Sequence, residues 1–527
     1  MPEKAMWLAR QAQCATLPEH RLARRFIAHI EADVDGLKQK TIRGGAAKLV
    51  GQVASMALRL GTLMVLARLL EPTDFGIVAM VTVVTGIFDI FATGGLSTAT
   101  VQRFEVSHEE ISTLFWVNMA IGVALALLCL AAAPLLASFY HEPKTAYVMM
   151  LVSPAFVFNA AGVQHLALLQ RDLRYLALSL IEFISQFTSA IISIGMALSG
   201  WGFLALVGGV VAGPLVMTIG AWLATGWVPG RPRHVRSVAS FVRFGGAVTI
   251  NSLVVYFAYN ADKMLLGRYY GSNALGLYSR AYQLINIPTQ TLNFAFGGVA
   301  FSALSRLQFE RDRFKSYFLK GYKLVLSTTM PITIFCAVFA DDIILIALGP
   351  RWHDAAMIFR ALSPTIVILG IINPLGWVMQ SVGLVKRSLV IAIVLSAVVI
   401  CSYLAGLPYG PVGVASAFSA GMMLWLVPHV AWCIHGTGIT MREIFAAAAR
   451  PLAAGIIGGG AAGVVQYLVA DLAHPIIRLA LGGTAMMIVY GGALLFVFGQ
   501  RHLFADVLGG LRGASYPPER MAIKPVE

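Results

Sequence analysis

The chain of 527 residues is 58% hydrophobic and 12% charged, with a mean hydropathy of +0.76, whereas soluble globular domains carry about 25% charged residues. A water-soluble protein is therefore excluded. The formal net charge of +14 does not signify nucleic-acid binding, because its placement along the chain follows membrane topology.

Residues 1–40 read as a basic cytoplasmic tail. They lack the apolar core of a signal peptide, and Arg21, Arg24 and Arg25 hold them at the membrane face, either as an amphipathic surface helix over residues 21–30 or as mobile chain. From Ala46 to Phe498 apolar stretches of about 20 residues follow one another, each long enough to cross roughly 30 Å of hydrocarbon as a helix. The expected fold is all-α and polytopic. It has about 14 transmembrane helices, centred near residues 58, 86, 124, 157, 188, 213, 252, 293, 332, 368, 395, 422, 458 and 487.

No connection between these spans is long enough for a folded soluble domain. With the N-terminus inside, 29 of the 39 Lys and Arg fall on one side. Six lie in the opposite loops (Lys144, Arg268, Arg280, Arg351, Arg360 and Arg478) and four within spans (Lys48, Arg59, Arg68 and Lys263). The positive-inside rule then places both termini in the cytoplasm.

Residues 41–81 slide onto 241–281 without a gap. Arg43 meets Arg243, Gly45 meets Gly245, Ala47 meets Ala247, Met64 meets Met264, Leu66 meets Leu266, Arg68 meets Arg268 and Gly76 meets Gly276. Six spans separate the copies, so both run in the same direction across the membrane. This is a parallel repeat with a pseudo-two-fold axis along the membrane normal. The expected organisation is a six-helix lobe over 41–228, a second over 229–440, two additional helices over 441–499 and a cytoplasmic tail over 500–527.

The first span carries Lys48, Gln52, Ser55, Arg59 and Thr62 at spacings of four, three, four and three, which places them on one helical face. Its repeat partner carries Thr249, Ser252, Tyr256, Tyr259 and Lys263 at the same spacing, with Asn260 and Asp262 beside them. A charge at mid-membrane costs about 2.5 to 3.5 kcal/mol, so such stripes face a wet cavity or a partner. One central cationic cavity is expected, with Arg59, Lys48, Gln52, Lys263, Tyr259 and Asn260 as candidate substrate-binding residues. The plainer readings are that Lys48 snorkels to the interface, that Arg68 and Arg268 anchor the outer interface, and that Lys263 pairs with Asp262.

Candidate ion-relay groups are Asp89, as partner of Arg59 or proton carrier, with Glu182 and Asp262. Asp341 and Asp342 read as a solvated pair at the outer interface, and His165 as a hydrogen-bonded structural histidine. Gly458 to Gly460 fit close helix packing rather than a phosphate loop. The five cysteines lack metal-ligand or CxxC spacing; Cys129, Cys336, Cys401 and Cys433 read as small core residues. No cofactor, metal or nucleic-acid partner is expected.

Arginine's planar fork suits a diphosphate or carboxylate. An anionic headgroup moving outward gains about 2.3 kcal/mol per charge per 100 mV of inside-negative potential, so an anionic amphiphile is the favoured cargo.

Three stretches then carry a resemblance. They are VQRFEVSHEEISTLFWVN (residues 101–118), LLGRYYGSNALGLYSRAYQL (265–284) and LGPRWHDAA (348–356). The sequence resembles Wzx-type lipid-linked oligosaccharide flippases, in particular the colanic-acid and exopolysaccharide branch, over roughly residues 40–500. The resemblance implies the fold of the multidrug/oligosaccharidyl-lipid/polysaccharide (MATE-like) superfamily, with two six-helix lobes and alternating access. It also implies translocation of undecaprenyl-diphosphate-linked repeat units across the bacterial inner membrane for exopolysaccharide or lipopolysaccharide assembly, and a role for Asp89. Membrane lipids, and a polysaccharide polymerase with its co-polymerase, are the implied partners, and no enzymatic activity is implied. The competing expectations are a drug exporter of the same fold and a membrane polysaccharide polymerase.

Overall fold

The structure is a computed structural model that describes residues 51–93, 107–232, 237–469, 474–501 and 504–505. Lys48, the repeat positions Arg43, Gly45 and Ala47, the stretch 101–106, the N-terminal tail and residues 506–527 lie outside the described residues.

The described residues contain helices and connections, with no strand among them. In chain order the helices are α1 Gly51–Leu69, α2 Pro72–Thr93, α3 His108–Tyr140, α4 Lys144–Val152, α5 Pro154–Arg171, α6 Tyr175–Leu198 and α7 Phe203–Thr225. There follow α8 Ser237–Leu307, α9 Arg311–Val338, α10 Ala340–Ala347, α11 Ala355–Leu362, α12 Pro364–Ser381, α13 Val385–Gly406, α14 Gly410–Ile434, α15 Met441–Val469 and α16 Pro475–Gly492.

Among the described residues, eleven helical stretches are long and apolar enough to cross a membrane, against the expectation of about fourteen spans. The difference has a physical source. One stretch, Val385–Ile434, joins α13 to α14 through a break at Gly410, where φ is 73°. The 71-residue α8 is not among the eleven, and it is broken at Gly271, where φ is 78° and ψ is −174°. That combination is open to glycine and to almost no other residue. It reverses the chain between an arm over 237–270 and an arm over 272–307.

Local sequence sets the helix ends. The SHEE segment is a capping box: the Ser107 hydroxyl accepts from the Glu110 N–H at 3.2 Å, and the Glu110 carboxylate accepts from the Ser107 N–H at 3.1 Å. Two of the orphan donors at the start of α3 are thereby satisfied. At its other end α3 stops on His141, whose φ of 55° is left-handed and whose N–H returns to the Ala137 carbonyl.

The internal repeat extends well past the aligned segment. In each half the third pass is followed by short helices, α4 in one and α10 with α11 in the other, before a fourth pass that opens on Ser-Pro, at Ser153-Pro154 and Ser363-Pro364. The turn into the fifth pass carries a positive φ at equivalent places, 56° at Leu173 and 76° at Gly383.

Polar groups tie neighbouring helices within each half. Ser185 and Ser189 of α6 donate to the carbonyls of Gly213 and Gly209 in α7 at 2.7 and 2.8 Å. Ser419 of α14 donates to the Ala361 carbonyl at 2.6 Å. Such bonds hold helices together where lipid removes the hydrophobic drive for association.

Three expectations are corrected here. Asp341 and Asp342 are not a solvated pair, because each has its own arginine. Asp341 meets Arg360 at 2.5 Å, and the buried Asp342 meets Arg478 of α16 at 2.6 Å. Arg280 lies within the 272–307 arm of α8 rather than in a loop. Cys129, Cys336 and Cys433 are buried, but Cys401, on α13, is exposed.

Candidate functional site

The site is built where the two halves meet. Pro72 and Gly76 of α2 lie against Ser272 and Gly276 of α8, and the pairing is reciprocal. A β-carbon added to Gly76 would lie 1.7 Å from the Ser272 carbonyl oxygen, and one added to Gly276 would lie 1.8 Å from the Pro72 carbonyl oxygen. Contact of residue i with j and of j with i is the signature of a two-fold interface. Only a residue without a side chain lets the two helix starts approach so closely.

The repeat-related arginines cross the same interface. Arg68, at the end of α1, donates to the Ile346 carbonyl in α10 at 2.6 Å. Arg268, at the end of the 237–270 arm, reaches His141 Nδ1 at 2.7 Å. Each half therefore extends one arginine to the segment that follows the third pass of the other. Arg68 and Arg268, expected as anchors of the outer interface, each clasp the opposite half.

Trp352 completes the contact. It is fully buried, donates its Nε1–H to the Ala67 carbonyl at 2.8 Å, and meets Phe75 edge-on with ring centroids 5.3 Å apart. The guanidinium of Arg280 lies 4.7 Å from the centroid of the Phe75 ring and bonds the Gln283 amide oxygen at 2.5 Å. The tryptophan of the LGPRW segment thus locks the end of α1 to the second half.

Further along, Tyr256 donates to the Val83 carbonyl at 3.0 Å and sits directly over Gly86, where an added β-carbon would fall 2.0 Å from its hydroxyl. From Pro72 to Gly86 is fourteen residues, about 21 Å at 1.5 Å per residue, so the halves are sealed over most of one membrane depth. Met56 of α1 meets the Thr291 hydroxyl of α8 across the related contact, at 3.6 Å to its sulfur. Asp89, three residues past Gly86, and Gln52, four residues before Met56, lie beyond the seal and are exposed.

The predicted stripes divide. On α1, Gln52 and Arg59 are exposed, Ser55 is buried, and Thr62 bonds the Leu58 carbonyl of its own helix at 2.7 Å. On α8, Lys263 donates to the Asn260 side chain at 2.8 Å and lies 5.2 Å from the Tyr282 ring centroid. Asp262 is fully buried and accepts from the Tyr278 hydroxyl at 2.8 Å and the Lys263 N–H at 2.7 Å. Asn260, Asp262 and Lys263 thus form a network inside the second half, and Tyr259 is half-buried beside it.

Glu182 stands apart. It lines an open cleft of about 230 Å³ between α5, α6 and α7, together with Gln170, Tyr175 and Ser179. His165 is a core residue, buried, bonded through Nδ1 to the Thr225 hydroxyl at 2.8 Å and flanked by Trp222. Among the described residues no group of three or more His, Cys, Asp or Glu is placed to hold a metal ion.

His141, Arg280 and Trp352 were not singled out as site residues from sequence. Arg280 and Trp352 lie in the stretches 265–284 and 348–356 that carry the resemblance, and all three partner a residue at or near a repeat-aligned position.

Comparison with known proteins agrees with this architecture. A family model described as "Polysaccharide biosynthesis protein" matches residues 65–357, more than half of the chain. The chain is 26% identical over 349 residues to the lipopolysaccharide biosynthesis protein WzxC of Escherichia coli (strain K12), covering 64% of this chain and 70% of WzxC. It is 24% identical over 326 residues to the succinoglycan biosynthesis transport protein ExoT of Rhizobium meliloti (strain 1021), covering 62% and 65%.

In structure it is similar to the lipid II flippase MurJ in an inward closed conformation, with a TM-score of 0.71 at 15% identity, covering 88% of this chain and all of that one. It is also similar to a multidrug resistance MATE family transporter of the MOP superfamily in its inward-facing conformation, with a TM-score of 0.60 at 14% identity over 73% and 94% of the two chains. The described residues share an all-α, membrane-spanning fold with those two proteins. By its match from residue 65 to residue 357, the chain belongs to the polysaccharide biosynthesis protein family.

Proposed function

We propose that the protein is a flippase that moves a lipid-linked anionic oligosaccharide, an undecaprenyl-diphosphate repeat unit, from the cytoplasmic to the periplasmic leaflet of the bacterial inner membrane by alternating access. The observation that carries this reading is the reciprocal seal between Pro72–Gly76 and Ser272–Gly276, which shuts one end of the interface between two repeat-related halves. A seal of that kind is what a rocking pair of lobes must make and break. The distribution of Lys and Arg supports a sealed end outside and both termini in the cytoplasm. The transport in the name of ExoT and the flippase in the name of MurJ support the same reading.

The lobes run over 41–228 and 229–440, with 441–499 as two additional helices. Lys48, Gln52 and Arg59 of the first lobe contact the diphosphate, because arginine keeps its charge when desolvated and matches two phosphate oxygens at once. Tyr259, Asn260 and Lys263 contribute from the second. Asp89, just past the seal, is the coupling group, with Glu182 and Asp262 as the other acids available for ion relay. The protein carries its cargo without covalent chemistry and hands it to a polysaccharide polymerase with its co-polymerase.

A deletion strain of the host tests this through its surface polysaccharide and its pool of lipid-linked repeat units. The expected result is loss of polymer with repeat units stranded on the cytoplasmic leaflet, restored by the gene. Repeat units that reach the outer leaflet unpolymerised would instead make the protein a polymerase. Unchanged polymer and repeat-unit pools in a strain without a second flippase would make it an exporter of another cargo.

A further inference from the structure

Arg68 and Arg268 are repeat-related and both clasp the opposite half, but they end on different chemistry. Arg68 ends on a backbone carbonyl, that of Ile346, which does not titrate. Arg268 ends on the Nδ1 atom of His141. A guanidinium has five N–H donors and no acceptor, so this bond exists only when Nδ1 carries a lone pair and the ring is neutral. Protonation puts an N–H where the acceptor was and sets a second cation against the first.

We propose that His141 makes the seal between the halves responsive to pH: the neutral imidazole holds Arg268 and keeps this end shut, and the imidazolium releases it. Histidine is the side chain that ordinarily changes charge between pH 5 and 8. His141 is exposed, so protons reach it from bulk solvent. Its left-handed backbone, fixed by its own N–H to Ala137, holds it at the C-terminus of α3, where the free carbonyl ends stabilise an imidazolium once Arg268 has left.

This end of the molecule carries other charged and titratable groups. Glu142 follows His141 in the chain, Tyr140 packs on Gly267, and Lys144 of α4 lies 5.9 Å from the Phe203 ring centroid. The Asp74 carboxylate of α2 accepts from the Glu71 N–H at 3.2 Å. Phe139 and Tyr269 flank the Arg268 guanidinium, at 5.9 and 6.0 Å to their ring centroids. Asp341 and Arg360 are paired with each other, and Arg280 is held by Gln283. Arg351, His353 and Asp354 lie in the segment around Trp352, which therefore carries a second histidine. With the sidedness proposed above, the sealed end faces the acidified exterior, and protons arriving there open it.

The test is a spin-label distance measurement between the fifth-to-sixth-pass turns of the two halves, at Trp201→Cys and Tyr409→Cys, both exposed, at 56% and 79%. The full chain, with Cys14 and Cys401 replaced by Ser, is held in lipid nanodiscs, where both faces meet the same buffer. Acidification from pH 8.0 to 5.5 is expected to raise the longer-distance population severalfold. His141→Asn should abolish that shift while keeping the short distance, because asparagine tolerates the left-handed region and its Oδ1 accepts from Arg268 at any pH. His141→Lys should show the longer distance at both pH values.

An unchanged pH response in His141→Asn, as a response seated on another group would produce, overturns the proposal, as does a wild type without any response. Neither result depends on transport, so either would leave the flippase reading standing.

Discussion

Gly76 and Gly276 occupy equivalent places in the two halves, and each lies against the other half's helix start, over Ser272 and Pro72 respectively. The internal repeat in the sequence is therefore also a physical contact: the two copies meet each other across the pseudo-two-fold axis. Glycine is required on both sides because any β-carbon would overlap a backbone carbonyl, which cannot move aside as a flexible side chain can.

It follows that Gly76→Leu and Gly276→Leu disfavour the sealed conformation. Overpacking a close contact costs about 1–3 kcal/mol, enough to shift the balance of conformations by roughly one to two orders of magnitude. The label pair at residues 201 and 409 should report a longer distance in either variant at pH 8.0. Retention of the wild-type distance in both would remove this contact from the gate.

A second prediction concerns the tie between α10 and α16. Asp342 is 2% exposed and meets Arg478 at 2.6 Å. Removing one partner of a buried ion pair leaves the other charge without compensation, at about 3–5 kcal/mol. Arg478→Met should lower the thermal midpoint by several degrees, and the double variant Asp342→Leu/Arg478→Met should regain part of the loss. A single variant as stable as wild type would mean that water reaches Asp342.

Leu173 and Gly383 stand at matching turns with positive φ, but only one of them is glycine. A side chain in the left-handed region costs about 1–2 kcal/mol. Gly383→Leu should therefore reduce thermal stability, whereas Leu173→Gly should leave it unchanged or raise it. Thermal denaturation in detergent compares the two directly, and equal losses in both would show that packing of the Leu173 side chain outweighs its backbone strain.

Arg59 and Asp89 carry the transport prediction. Arg59→Ala should reduce export more than Arg59→Lys, which preserves charge. Asp89→Asn should stop export while protein abundance stays normal. Full activity in Asp89→Asn would assign coupling elsewhere, and near-normal function in both Arg59 variants would leave that arginine a structural role.

Much of this architecture was legible before the structure, because membrane helices announce themselves by length and apolarity. The repeat was legible because it rests on Arg and Gly, which chemistry fixes at those positions. Other features required coordinates. The Asp342–Arg478 pair joins residues 136 apart, and no local pattern connects them.

The polar stripe on α1 divided because helical spacing fixes which residues share a face but not which neighbour covers it. Ser55 is covered and Arg59 is not. Arg280 was counted as a loop residue because a hydropathy window weighs charge without regard to a ring such as Phe75 beneath it. His141 escaped notice because a histidine in a left-handed cap has no sequence signature.

Flipping is measured directly with purified protein in liposomes that contain a fluorescent polyprenyl-diphosphate oligosaccharide, with a membrane-impermeant enzyme outside to attack the sugar. If the protein flips this lipid, the accessible fraction rises beyond the share of the outer leaflet, and Arg59→Ala lowers the rate. An accessible fraction that stays at the outer-leaflet share, with protein shown to be folded and inserted, would mean that the protein does not flip this lipid.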